Sequence, residues 1–221
     1  MKKKYYSLIF ISILISTIGY AQKEKQNNEK AFFLGINTGS HYSYLGGDSG
    51  YANFYKYNEF NFMAGINTEL KLNKLWSIYA NINYRPRGFA AKVYYSDPKI
   101  GVVKDEMKFS YIEVPLLLKY RIKNSYLYGV GGIYFAKFLN VKEFLNEKNT
   151  GFDWSENHNK LDQGVVLGAG FIFYENEKET TNMSIEFRYI HGLTGIIIQT
   201  ENDKDTFMNA YSLQLNYNFT P

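Results

Sequence analysis

The residues able to do chemistry fall into two groups. The first is three histidines, His41, His158 and His191, in a chain without cysteine. Used in hydrolysis, a histidine base must reach a hydroxyl nucleophile and be oriented by an acid. Ser40, Ser43, Glu201 and Asp205 are the candidates on paper, yet no nucleophile motif surrounds any of them. Oxygen-rich runs at Phe152-Asp153-Trp154-Ser155-Glu156-Asn157-His158 and Glu201-Asn202-Asp203-Lys204-Asp205 could face a calcium ion. The second lacks the glycine-containing spacing of a calcium loop and carries a lysine, so solvated loop polarity is the expectation for both. No catalytic residue, cofactor or metal is expected.

The second group is Glu69, Arg85, Glu113, Lys119, Arg121, Glu186 and Arg188. Each sits in a segment whose alternate positions are apolar, so the charges share one face of an extended chain. Such a set either lines a narrow polar pathway or fills an interior as paired charges. The second is expected here, because a ring of eight strands leaves room only for side chains.

The elements that must position these charges follow from the same alternation. In the run Met107 to Arg121, Ile112, Val114, Leu116, Leu118 and Tyr120 fall on one face, and Tyr111, Glu113, Pro115, Leu117, Lys119 and Arg121 on the other. Similar runs at about 32–43, 60–72, 76–85, 126–138, 164–174, 183–192 and 210–219 give eight strands. The faces of the fifth, with Gly129, Gly131 and Gly132, are not assignable from the pattern. Pro115 has no N–H for a sheet ladder and predicts a bulge. Connections after the second, fourth and sixth strands are short, and those after the first, third, fifth and seventh long, roughly 15 to 25 residues. An even strand number with alternating short and long connections predicts an eight-stranded antiparallel up-and-down transmembrane β-barrel over residues 31–221.

A soluble barrel would share the period with its apolar face turned inward. The aromatics decide against it. Phe32, Trp76, Tyr120, Phe173 and Phe219 lie at one end of the apolar face, and Tyr42, Phe60, Phe62, Tyr84, Phe135 and Tyr189 at the other, as girdles at two membrane interfaces require. All three histidines are expected at or beyond the extracellular ends, and a tyrosine-rich first loop (Tyr42, Tyr44, Tyr51, Tyr55, Tyr57) could contact glycan or a partner.

Composition agrees. The 221 residues include 21 Tyr, 17 Phe and 18 Gly against 4 Pro, at a mean hydropathy of −0.34, which suits aromatic-rich strands. Lys2, Lys3 and Lys4, the apolar run from Tyr5 to Ile18, and Gly19-Tyr20-Ala21 read as a signal peptide over residues 1–21. Residues 22–30 form a polar periplasmic lead-in. The leader carries three of the four net positive charges, so the mature chain is near neutral and no nucleic-acid binding is expected.

The run Tyr111-Ile112-Glu113-Val114-Pro115-Leu116-Leu117-Leu118-Lys119-Tyr120 resembles the signature strand of the PorT-type outer-membrane β-barrel family of Bacteroidota. Gly168-Ala169-Gly170 and the terminal strand ending Asn216-Tyr217-Asn218-Phe219 are similar to it as well, although Thr220 and Pro221 follow the last aromatic. The resemblance implies outer-membrane residence with both termini periplasmic. It makes outer-membrane lipid, lipopolysaccharide and, during biogenesis, the barrel assembly machinery the expected partners of a monomer. The expected function is non-enzymatic, structural or interaction-based. Two alternatives stay open: an accessory role in type IX protein secretion, and a lipid-A-modifying enzyme with a histidine at the rim.

Overall fold

A computed structural model describes residues 32–47, 54–55, 57–94, 102–152, 154–196 and 206–221. The expected leader and lead-in, residues 1–30, lie outside them, as do Tyr51, Asp153 and the run Glu201 to Asp205.

The described residues form eight long strands and one short one: β1 (Phe32–Gly46), β2 (Tyr57–Lys71), β3 (Trp76–Tyr94), β4 (Val102–Arg121), β5 (Leu127–Leu145), β6 (Lys148–Asn149), β7 (Leu161–Glu175), β8 (Thr181–Gly192) and β9 (Phe207–Phe219). Every ladder is antiparallel, β1 pairs with β9, and the ring closes through β4 and β5. Asparagines make the tight turns at one end. Asn73 Oδ1 accepts the Leu75 and Trp76 amides at 2.8 and 2.9 Å. Asn124 supplies a left-handed φ of 56°, which Asn tolerates better than most residues. Asn176 Oδ1 accepts the Thr180 and Thr181 amides.

The faces alternate as the pattern predicts. Ile36, Phe62, Ile66, Leu118, Leu167 and Leu213 stand exposed on the outside, a continuous apolar belt far larger than a soluble monomer tolerates. Its lower rim carries Trp76 against Tyr120, with ring centroids 4.7 Å apart, and its upper rim carries Tyr189 against Tyr211 at 5.3 Å. In β5, whose faces the pattern leaves unassigned, Tyr128, Val130, Tyr134, Ala136 and Phe138 point inward and Leu127, Ile133 and Phe135 outward.

Three expectations are corrected. Pro115 makes no bulge: β3 and β4 lose pairing between Ala80↔Leu116 and Asn83↔Glu113 without changing register, and Pro115 stays opposite Tyr134. A missing donor costs ladder bonds, but an even number of residues on both strands keeps the side chains in phase. The irregularity in the β4–β5 ladder lies in β5, where Leu139 is the extra residue between Tyr111↔Phe138 and Ser110↔Asn140. The long connections are shorter than expected, because β3, β4 and β5 run on past Arg85, Met107 and Phe138. Finally, His41 is not at the extracellular rim: it is buried on the inner face of β1.

The upper part of β3, β4 and β5, beyond Arg87, Tyr111 and Phe138, inverts the pattern. Below it, inward positions are Ser77, Asn81, Asn83, Arg85 and Glu113; within it they are Phe89, Ala91, Met107, Phe109 and Val141, all buried. Outward positions change in the opposite sense, from Ile82, Tyr84 and Ile112 to Lys92, Lys104 and Lys108. Outside the belt the surroundings change from hydrocarbon to water, so the chain packs there as a soluble protein does.

Candidate functional site

The interior is built in layers. At the mouth on the side of the short turns, Arg121 makes two bonds to Glu175 at 3.0 and 2.8 Å. Beside it lies a recess of about 20 Å³ lined by Glu69, Lys71, Ser77, Lys119 and Asn182, enough for about one water. One layer in, Lys119 Nζ donates to Glu69 Oε2 at 2.8 Å and lies 4.3 Å above the Tyr128 ring. Asparagines Asn37, Asn67, Asn81, Asn83, Asn216 and Asn218 pack the same wall, each buried.

The central layer holds the charges. Arg85, Arg87 and Arg188 are among the largest fully buried side chains. Arg87 bonds Glu113 and, at 2.7 Å, Asp162. Arg85 Nε lies 3.1 Å from Glu113 Oε1, an ion-pair distance without hydrogen-bond alignment, while its Nη2 contacts the Met63 sulfur at 3.0 Å. Arg188 bonds Glu186, whose other oxygen accepts the Tyr128 hydroxyl at 2.9 Å. Tyr134 donates to Asp162 at 2.9 Å, and the Arg87 guanidinium sits 5.1 and 5.2 Å from the Tyr111 and Tyr134 rings. Three cations and three carboxylates thus meet in a space closed by tyrosines, a balance that buried charge requires.

Six of the seven residues singled out in the sequence meet as partners of one another: Glu69 with Lys119, Arg85 with Glu113, and Glu186 with Arg188. Arg121 stands apart at the mouth. Arg87 and Asp162, which link Glu113 to Tyr134, escape the alternation because it ends the third strand at Arg85 and begins the sixth at Gly164. The tripeptide Arg85-Pro86-Arg87 carries the signal for one of them: two arginines two apart share a face of an extended chain.

Above the charges lies an aromatic cover. Phe109 contacts Phe89, Tyr111, Phe138 and His158 at ring distances of 5.2, 6.4, 6.3 and 4.9 Å. His158 arrives from beyond β6, stacked on Phe138, with Nδ1 2.7 Å from the Trp154 carbonyl. Burial holds its imidazole below the ordinary histidine range. Tyr55 enters from the first connection, edge-on to Phe89, and donates to Asp105 at 2.8 Å. Burial raises the Asp105 carboxyl against that bond. Ile196 and Met208 complete the cluster.

His41 and Ser43 each engage the backbone. His41 Nε2 meets the Pro86 carbonyl, and Ser43 Oγ donates to the Gly88 carbonyl at 2.8 Å. His191 lies on the outer face beside Asn209. The tyrosines of the first connection are dispersed: Tyr42 and Tyr44 point outward from β1, Tyr57 opens β2, and Tyr55 turns inward.

A ring of antiparallel strands, apolar outside and charged within, defines a transmembrane β-barrel. Residues 20–197 match the family described as outer membrane protein beta-barrel domain. The chain belongs to that family and is an outer-membrane protein. No curated protein matches it. Among solved structures, AlkL in DMPC lipid bilayers is similar at a TM-score of 0.50 and 12% identity, over 88% of this chain and 91% of that one. Neisserial surface protein A is similar at 0.48 and 10%, over 88% and 100%. OprG from Pseudomonas aeruginosa is similar at 0.42 and 14%, over 87% and 96%.

Proposed function

We propose that this barrel is non-enzymatic and monomeric, and that it acts through its extracellular surface while its lumen stays closed. The layered interior carries this reading: a fully buried Arg85–Glu113–Arg87–Asp162 chain lies beneath the Phe109, Phe138 and His158 rings. In it, Glu69, Arg85, Glu113, Lys119, Glu186 and Arg188 serve as filling and not as a pathway, with Arg121 closing the mouth. The protein's surroundings are outer-membrane lipid and lipopolysaccharide, and the barrel assembly machinery inserts it after loss of residues 1–21. Conductance in planar bilayers tests this. A flat current is expected from the folded protein, and sustained unitary steps would replace the closed lumen with a pore.

Catalysis is disfavoured by the backbone engagement of His41 and Ser43. The lipid A mass spectrum of a deletion strain should equal that of its parent, and a difference abolished by His41→Ala or His191→Ala would restore the enzyme reading. A second reading, a PorT-like accessory of type IX secretion, rests on the resemblance of the Tyr111 to Tyr120 run to the PorT-type signature strand. That reading expects deletion to abolish surface export; intact export would end it.

A further inference from the structure

The outer face of the β3–β4–β5 extension places lysines where the sheet ought to avoid them. Lys108 lies directly opposite Lys142, and four residues further along the strand Lys92 lies directly opposite Lys104. Like charges facing each other across a ladder repel and cost stability. Yet two such pairs occur on one face, about 13 Å apart along the strand at ~3.3 Å per residue. Glu106 bonds both Lys104 and Lys108, the latter at 3.2 Å, and Glu59 bonds Lys104 at 3.0 Å. Two carboxylates against four ammoniums leave the face positive.

Three of the four ammoniums are held in place, Lys104 by Glu59 and Glu106. Lys108 sits 4.8 Å above the Phe144 ring, and Lys92 4.8 Å above the Tyr57 ring. Their height is informative. The apolar outward column of β4 runs from Tyr120 through Leu118, Leu116 and Val114 to Ile112, then gives way through Ser110 to Lys108. The lysine pairs therefore lie just above that column, at whose upper edge Lys137 already stands outward opposite Ile112 and hydrocarbon gives way to lipid headgroups. The flank formed by β1, β8 and β9 carries paired rings instead, Tyr44 stacked on Tyr211 and Tyr189 tilted against it.

We infer that Lys108 and Lys142, with Lys92 and Lys104 above them, form a binding site for the phosphorylated headgroup of an outer-leaflet glycolipid. The phosphates relieve the cross-strand repulsion, and the belt below receives the acyl chains. The two tiers suit a headgroup bearing more than one phosphate. Nothing in this depends on a closed lumen, so a conducting barrel would leave it standing.

The test uses the full chain folded in nanodiscs, with bisphosphorylated lipid A, the same lipid stripped of phosphate, and inorganic phosphate as probes. Wild type should bind bisphosphorylated lipid A about tenfold more tightly than Lys108→Gln/Lys142→Gln. Lys123→Gln, in the opposite turn, should change nothing. Heat-modifiable gel migration establishes that each variant is folded, and Lys92→Gln/Lys104→Gln provides a second pair. Equal affinity of wild type and both folded double variants would overturn the assignment, as would equal binding of stripped lipid. Full competition by inorganic phosphate would make this a free-anion site and overturn the lipid assignment too.

Discussion

Glu113→Ala separates a charge that fills the lumen from one that merely sits in it. Glu113 is 1% exposed and faces two arginines. On its removal Arg87 keeps Asp162 at 2.7 Å, whereas Arg85 retains, among the described hydrogen bonds, the Met63 sulfur at 3.0 Å. Arg85 then becomes a buried cation without a counter-ion, a situation that costs about 3–5 kcal/mol when one partner of a buried pair is lost. Replacing both members by apolar groups removes the orphan, so Glu113→Ala/Arg85→Met should recover most of that loss. Arg121 and Glu175 at the mouth are partly exposed, and Glu175→Ala should cost about 1 kcal/mol or less. The assay is urea unfolding from lipid vesicles, followed by tryptophan fluorescence and by gel migration of the folded form. The reasoning is refuted if Glu113→Ala costs no more than Glu175→Ala, or if Arg85→Met fails to rescue it.

The remaining predictions concern the cover and the strand faces. Because burial lowers His158 in the docked state, an undocked loop takes up a proton more readily once pH falls below ~6.5; docking is complete above that pH and weakens below it. Amide exchange of residues 154–160 at pH 7.5 and 5 should show this, and His158→Gln should remove the difference. Tyr55→Phe leaves Asp105 without its 2.8 Å hydroxyl donor, which should loosen the first connection by about 1–2 kcal/mol and speed its cleavage by chymotrypsin while the barrel stays folded. A Cβ on Gly132 would overlap the Leu116 carbonyl and lie 2.9 Å from Leu117 Cα, whereas one on Gly129 meets nothing nearer than the Gly168 carbonyl at 3.8 Å. Gly132→Ala should therefore destabilise by about 1–3 kcal/mol and Gly129→Ala should be neutral in the same urea titration.

The barrel is legible in the sequence wherever one solvent wets the outside of the strand. From Trp76 to Arg85 the outside is hydrocarbon and the inside polar, so a single period identifies both faces. Past Arg87 the outside is water and the inside a packed core of Phe89, Ala91 and Phe109. The period persists, but its polarity reverses, and a reading that expects one polarity ends the strand there. Arg87 is lost at this boundary. The fifth strand is opaque because Gly129 and Gly131 face outward and Gly132 inward, and glycine carries no polarity to read. His41 is misplaced when its height is judged from its position near the end of the expected first strand, whereas β1 continues to Gly46. The pairing of Arg87 with Asp162 depends on strands that are not neighbours in the ring, so no local pattern could supply it.

The seam between β1 and β9, from Leu34 opposite Phe219 to Gly46 opposite Phe207, joins the earliest strand to the latest. Half a cylinder is therefore not half as stable: before the last strand arrives, two rows of amides and carbonyls have no mate, and in hydrocarbon each such group costs several kcal/mol. Synthesis must therefore reach the last strand before enclosure can begin. Whatever severs that seam releases the whole wall at once.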